Sequence, residues 1–106
     1  MSSSNRMVRH IVLVKFREDA PEALKQELIR LSQWSRDADY VSGYVCGWGI
    51  QPNLYPGAGE EWDWGMSLDM AEEDAKRYAE DPTHMAIPQE VIDCAEKFAI
   101  LDFLME

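Results

Sequence analysis

Apolar and polar positions alternate most clearly between residues 62 and 70. There Trp62, Trp64, Met66, Leu68 and Met70 interleave with Asp63, Gly65, Ser67 and Asp69. A period of two predicts a strand with one buried face. Residues 8–16 alternate as well, with His10, Val12, Val14 and Phe16 on one face and Ile11, Leu13 and Lys15 on the other. Both faces are largely apolar, which predicts a strand covered on both sides. Leu24, Leu28, Leu31 and Trp34 recur at helical spacing. They predict a helix opened by the cap-like run Asp19-Ala20-Pro21-Glu22 and ended at Asp37-Ala38-Asp39.

Residues 41–50 read as a further strand with Tyr44, Cys46, Trp48 and Ile50 on one face. Its glycines, Gly43, Gly47 and Gly49, mark a bulge or the close approach of another backbone. The stretch 51–60 is a loop by its two prolines and two glycines. Residues 71–79 predict a short helix whose apolar side is Ala71, Ala75, Tyr78 and Ala79, and Asp81-Pro82 restarts a helical turn. Ile87, Val91, Cys94 and Ala95 form the stripe of a last helix running to Glu96, and residues 98–104 form the closing strand.

Strand, helix, strand, strand, broken helix, strand is the α+β, ferredoxin-like βαββαβ order, an antiparallel four-stranded sheet with its helices on one face. Residues 1–6 read as a disordered tail and 7–106 as a single domain. The uncovered face would expose Ile11, Leu13 and their apolar neighbours, so a symmetric homodimer with the two sheets face to face is expected.

Composition adds exclusions. The 106 residues carry 20 Asp+Glu against 10 Lys+Arg, a net charge of -10. The charge is lopsided: residues 1–53 hold 6 acids and 7 bases, while 54–106 hold 14 acids and 3 bases. Such a surface repels phosphate backbones, so no nucleic-acid partner is expected. No apolar run approaches the roughly 20 residues of a membrane helix, and no leader is visible, which predicts a cytoplasmic protein without a membrane partner. Cys46 and Cys94 stand 48 residues apart without a Cys-x-x-Cys pair, and His10 and His84 are the only histidines. No metal site and no cofactor are expected.

Three segments carry a family resemblance. Residues 7–16 (MVRHIVLVKF) resemble the first strand of the stress-responsive α/β-barrel (Dabb) family. Residues 78–84 (YAEDPTH) resemble its Tyr-x-x-His-Pro-x-His segment, and Phe98 to Phe103 its closing apolar strand with an acid. The similarity covers residues 7–104 and implies a dimeric α+β barrel built from two ferredoxin-like protomers. The family includes plant stress proteins, uncharacterised bacterial proteins and a cofactor-free polyketide cyclase, olivetolic acid cyclase, which closes a linear poly-β-ketone by aldol condensation. The resemblance assigns the cyclase's general-base histidine to His84, its oxygen-holding tyrosine to Tyr78 and its first-strand histidine to His10. Two positions depart from the pattern. Asp81 stands where the family has the first His of His-Pro-x-His, and Trp64 stands where it often has a third-strand His.

The candidate catalytic residues are therefore His84, Tyr78 and His10. His84 is either a base removing an acidic proton flanked by carbonyls or a histidine that fixes a helix start. Tyr78 either donates to a developing enolate oxygen or fills the core. His10 either orients oxygen or is a satisfied core histidine. Trp62, Trp64 and Trp48 are candidates to line a pocket for a small hydrophobic or aromatic ligand, with core packing as the alternative. The functional expectation is a cofactor-independent cyclase-like, lyase or isomerase activity using a His base. The alternatives are a non-catalytic stress-related oligomer or ligand binder, and a cofactor-free monooxygenase-like enzyme.

Overall fold

A computed structural model describes residues 6–57 and 61–106. The predicted tail, apart from Arg6, and the end of the predicted 51–60 loop lie outside these residues. Four strands, β1 (Met7–Phe16), β2 (Val41–Trp48), β3 (Trp64–Ala71) and β4 (Ala95–Leu104), form one sheet in the order β2-β3-β1-β4. Every pairing is antiparallel. The connections carry α1 (Glu22–Ser32), which continues as a 3-10 turn over Gln33–Asp37, and three short helices, α2 (Ala75–Ala79), α3 (Pro82–Met85) and α4 (Gln89–Ile92). This is the ferredoxin-like α+β fold. Among the described residues, no helix is long and apolar enough to cross a membrane.

The alternation in β1 and β3 sets the two layers. Val8, His10, Val14 and Phe16 of β1 and Trp64, Met66, Leu68 and Met70 of β3 are all buried on one face. Leu28 of α1, Tyr78 of α2, Val91 of α4 and Cys94 close over them. Each such apolar side chain contributes about 1.5–3 kcal/mol by leaving water. On the other face Arg9 pairs with Asp69 at 2.9 Å between directly opposed positions. Around that pair Val45, Leu101 and Phe103 are exposed, and Ile11 and Leu13 are half-buried.

Two glycines act as the pattern implied. Gly43 has φ +62, a conformation that costs glycine little, and the β2–β3 register shifts between Ser42 and Val45. At Gly49 an added Cβ would lie 2.3 Å from the Trp62 carbonyl oxygen, so the two backbones can meet only without a side chain there.

Three expectations need correction. The N-cap of α1 is Pro21, whose carbonyl accepts from the Leu24 and Lys25 N–H groups; Asp19 instead faces Arg17 at 3.4 Å. The last helix does not run to Glu96. Pro88 sits at the N-cap of α4, confining it to Gln89–Ile92. β4 then begins at Ala95, which pairs with Phe16. The spacing of Ile87, Val91 and Cys94 mimics a longer helix, but ladder pairing with β1 claims the chain from Ala95 onward. Finally, β2 ends at Trp48 and β3 starts at Trp64, each two residues inside its predicted strand.

Candidate active site

Four elements bring the histidines and Tyr78 together between the helices and the sheet. His10 projects from β1 toward the helices and is 8% exposed. The Tyr78 ring of α2 lies over it, with ring centres 4.9 Å apart. On the other side of the cluster His84 of α3 sits 5.8 Å from Tyr78. Trp34, from the turn after α1, stacks on Tyr78 at 5.1 Å and reaches His84 at 6.0 Å. The two imidazoles are thus linked through the phenol ring rather than to each other. His84 is exposed and Tyr78 is buried, so the row runs from the surface into the fold.

His10 has a partner on the next strand. Antiparallel register sets it directly opposite Asp102, and Nδ1 lies 2.5 Å from Asp102 Oδ1. A carboxylate only accepts, so the ring's Nδ1 carries the proton and, in the neutral ring, Nε2 keeps its lone pair. This is the orienting arrangement that lets a histidine act as a base. The pair is open on one side: the His10 side chain is 10% exposed and that of Asp102 is 53%.

Tyr78 is suited to donate. Burial pushes its phenol above the usual range, against the pull of the Ser35 hydroxyl beside it, and the charges of Asp102 and Asp81 add to the rise. The hydroxyl therefore stays protonated at ordinary pH and can hold a developing oxyanion.

His84 is positioned by its capping residue. Asp81, in extended geometry, accepts from the Thr83 N–H at 2.9 Å, and Pro82 follows at the first helical position. The other carboxylate oxygen of Asp81 accepts from the Tyr40 hydroxyl at 2.9 Å. The Arg77 guanidinium lies 4.0 Å over the Tyr40 ring. These contacts, the Thr83 N–H first, hold the Asp81 carboxyl below its ordinary range. Burial, and then Asp81 itself, push Tyr40 up to about 12. Where the family pattern has a histidine, this chain has a clamped carboxylate.

The candidate tryptophans lie elsewhere. Trp64 is 3% exposed and sits in the core between Val14 and Trp48. Val14 is four residues along β1 from His10, roughly 13 Å at the rise of a strand. Trp48 is 56% exposed at the sheet edge, 6.1 Å from Phe16. Trp62 lies under the Lys97 ammonium at 6.0 Å. The structure therefore joins His10, Tyr78 and His84 and leaves the three tryptophans at the other end of the sheet. The tryptophan that does reach the histidines is Trp34. Pattern reading places it in the α1 core stripe, and Asp102 passes there as the acid of the closing strand. An acid between Leu101 and Phe103, facing a histidine across the ladder, is the signal that could have identified it. Asp63 accepts from the Phe16 N–H at 2.8 Å and so secures the end of β1. Among the described residues, no group of three or more His, Cys, Asp or Glu side chains could hold a metal ion.

Fold and cluster together define a ferredoxin-like α+β domain with a row of two histidines, a tyrosine and a carboxylate between its sheet and helices. The chain belongs to the stress responsive A/B barrel domain (Dabb) family, whose profile matches residues 8–105. Among solved structures it resembles a Dabb-family protein with a ferredoxin-like fold from Mesorhizobium loti. The TM-score is 0.72 at 18% identity, covering 95% of this chain and 98% of that one. It also resembles a dimeric ferredoxin-like protein of unknown function from Bacteroides fragilis, with TM-score 0.65 and 26% identity over 93% and 96% of the two chains. A third similar structure is the hydroxynitrile lyase of Passiflora edulis, with TM-score 0.75 and 15% identity over 96% and 95%. No curated protein sequence matches significantly.

Proposed function

We propose that this protein is a homodimeric, cofactor-independent acid–base catalyst that makes or breaks a carbon–carbon bond next to an oxygen-bearing carbon of a small hydrophobic substrate. The carrying observation is the unbroken row His84–Tyr78–His10–Asp102, which combines two imidazoles, a protonated phenol and an orienting carboxylate. In the cleaving direction an imidazole takes the hydroxyl proton, the carbon–carbon bond breaks toward the leaving carbanion, and the imidazolium returns the proton to it. Tyr78 donates to the oxygen as it becomes a carbonyl. In the closing direction the imidazole removes a proton from a carbon between two carbonyls while Tyr78 holds the enolate oxygen. The enolate carbon then adds to a distant carbonyl carbon, whose C=O π bond opens to an alkoxide that the imidazolium protonates. The cyclase resemblance supports the second direction. The fold shared with a hydroxynitrile lyase supports asking about the first.

The experiment assays benzaldehyde release from mandelonitrile and ring closure of a linear aryl poly-β-ketone. The wild type is compared with His84→Ala, Tyr78→Phe and His10→Asn. Turnover by the wild type, and a loss of about 10²-fold or more in kcat for His84→Ala and Tyr78→Phe, is expected of a general acid–base pair. Wild-type rates equal to buffer on both substrates, or variants equal to wild type, would sink this reading.

One observation favours the non-catalytic alternative. Tyr78 packs against both His10 and Trp34, and the two middle members of the row, Tyr78 and His10, are buried between the exposed His84 and Asp102. Under that reading the row is aromatic core and no substrate competes for it. Dimerisation is common to both. The apolar face formed by Val45, Leu101 and Phe103 beside Ile11 and Leu13 supports pairing with a second copy. The B. fragilis relative is itself described as dimeric. Light scattering at micromolar concentration tests it, with a monomer as the contrary result.

A further inference from the structure

Ser35 sits where the chain tightens from α-helical to 3-10 geometry. α1 ends at Ser32, and the 3-10 turn runs over Gln33–Asp37. At about three residues per turn, positions 32 and 35 fall on one side. That side faces the fold: Ser35 is 0% exposed, and its neighbour Trp34 stacks on Tyr78. Each serine hydroxyl bonds the carbonyl three residues back, Ser32 Oγ donating to Ile29 at 2.8 Å and Ser35 Oγ to Ser32 at 3.2 Å.

The turn itself does not need that second hydroxyl. Alanine would make the same backbone bonds, and a fully buried hydroxyl costs free energy unless its polar atoms find partners. The bond to Ser32 uses the one Ser35 proton and leaves the oxygen able to accept. Beside it lies the Tyr78 phenol. Burial pushes that phenol up, the Ser35 hydroxyl pulls it down, and the charges of Asp102 and Asp81 add to the rise. The other titratable neighbours, His10 and His84, flank the ring at 4.9 and 5.8 Å.

We infer that Ser35 is a positioning residue for Tyr78, a hydroxyl that accepts from the phenol in the empty row and donates to the phenol oxygen once a substrate oxyanion takes the phenol's hydrogen bond. No proton leaves either residue. The Ser35 O–H swings from the Ser32 carbonyl to the phenol oxygen as the phenol O–H turns toward the oxyanion. A donor behind the phenol polarises it and strengthens the bond it makes in front. This role rests on the acid–base reading of the row and names the group that makes Tyr78 the stronger donor.

The test follows the Tyr78 phenol directly, in the full chain carrying 3-fluorotyrosine at its tyrosines. Fluorine acidifies each phenol into a range where the fold persists, and ¹⁹F NMR reads each titration, with Tyr78→Phe assigning the signal. Ser35→Ala should raise the Tyr78 midpoint by about 1–2 pH units, the scale of one hydrogen bond to a charged group. Tyr40 and Tyr55 should not move. Ser35→Cys fills the same space with a poor donor and should shift Tyr78 as Ser35→Ala does. In the turnover assays Ser35→Ala should lower kcat about tenfold with KM little changed, less than Tyr78→Phe because Ser35 does not touch the substrate. An unshifted Tyr78 in Ser35→Ala, full restoration by Ser35→Cys, or an unchanged kcat overturns the proposal. Wild-type rates equal to buffer sink the acid–base reading, whereas an unshifted Tyr78 sinks only the Ser35 role, so the two fall separately.

Discussion

The two ends of the helix-covered sheet face are both rich in aromatic rings, yet they are built for different purposes. At one end Trp64 lies between Val14 and Trp48, its two apolar neighbours across the ladder. At the other end His10, Tyr78, His84 and Trp34 meet Asp102, Asp81 and Ser35, so each ring borders a group that can give, take or fix a proton. Ring count does not distinguish them. What separates the ends is whether strand register and capping deliver polar partners to the rings.

Four substitutions and one titration sharpen that contrast. Trp64→Ala should have the largest effect, a loss of about 3–5 kcal/mol in urea unfolding, as expected when a buried indole leaves a cavity. A much smaller loss would mean that the tryptophan end is not core. Tyr78→Phe should invert the pattern, with stability changed by no more than about 1 kcal/mol, the net worth of one hydroxyl hydrogen bond, while kcat falls about 10²-fold.

Asp102→Asn comes next and acts on the tautomer. In the wild type, long-range ¹⁵N–¹H spectra should show the His10 proton on Nδ1. In the variant the amide can donate to that nitrogen, and the proton should redistribute toward Nε2 with a smaller loss of turnover than for Tyr78→Phe. An unchanged spectrum would contradict the orienting role of Asp102.

The pH effect is smaller and local. The Asp81 carboxyl titrates below its ordinary value in the folded chain, so its contribution is complete above the unfolded value of about 4 and is lost as pH falls through the folded one. Below that range the Thr83 amide should lose exchange protection and the His84 ring signals should move before the global transition. Simultaneous loss of all signals would mean that the cap is not separately linked. Trp48→Ala should change monomer stability least, because the ring is already 56% exposed. A large loss would reveal that a second copy covers it.

Much of the fold was legible because alternation is a direct consequence of strand geometry. Trp64, Met66, Leu68 and Met70 fall on the predicted buried face. Gly43 and Gly49 carry the two backbone features their positions implied. Helix ends were less legible where proline and ladder pairing competed with apolar spacing, as at Pro88 and Ala95. The candidate site was legible in its three main residues. Asp102 received no role because nothing local in β4 shows which residue lies opposite it; only the pairing of β4 with β1 does. The tryptophans drew attention by number, but register puts Trp64 opposite Val14 and Trp48 opposite Trp64, away from His10. Trp34 was hidden among leucines at the same helical spacing, and it reaches the histidines because the chain tightens into a 3-10 turn at Gln33.

The bulge at Gly43 has a consequence for how this chain can vary. Val41 and Cys46 stand opposite Met70 and Met66, two residues of one sheet face, although five steps of chain separate them. The glycine is therefore a phase shifter that lets the two halves of β2 address the same layer on opposite parities. Deleting that one residue would leave an even number of steps between Val41 and Cys46 and keep both on the helix-facing side. Straightening the bulge at constant length would instead carry Cys46 and Trp48 to the outer face and turn Val45 toward the helices. Homologous chains that lack the glycine should thus be one residue shorter in β2, rather than carry another residue there at the same length.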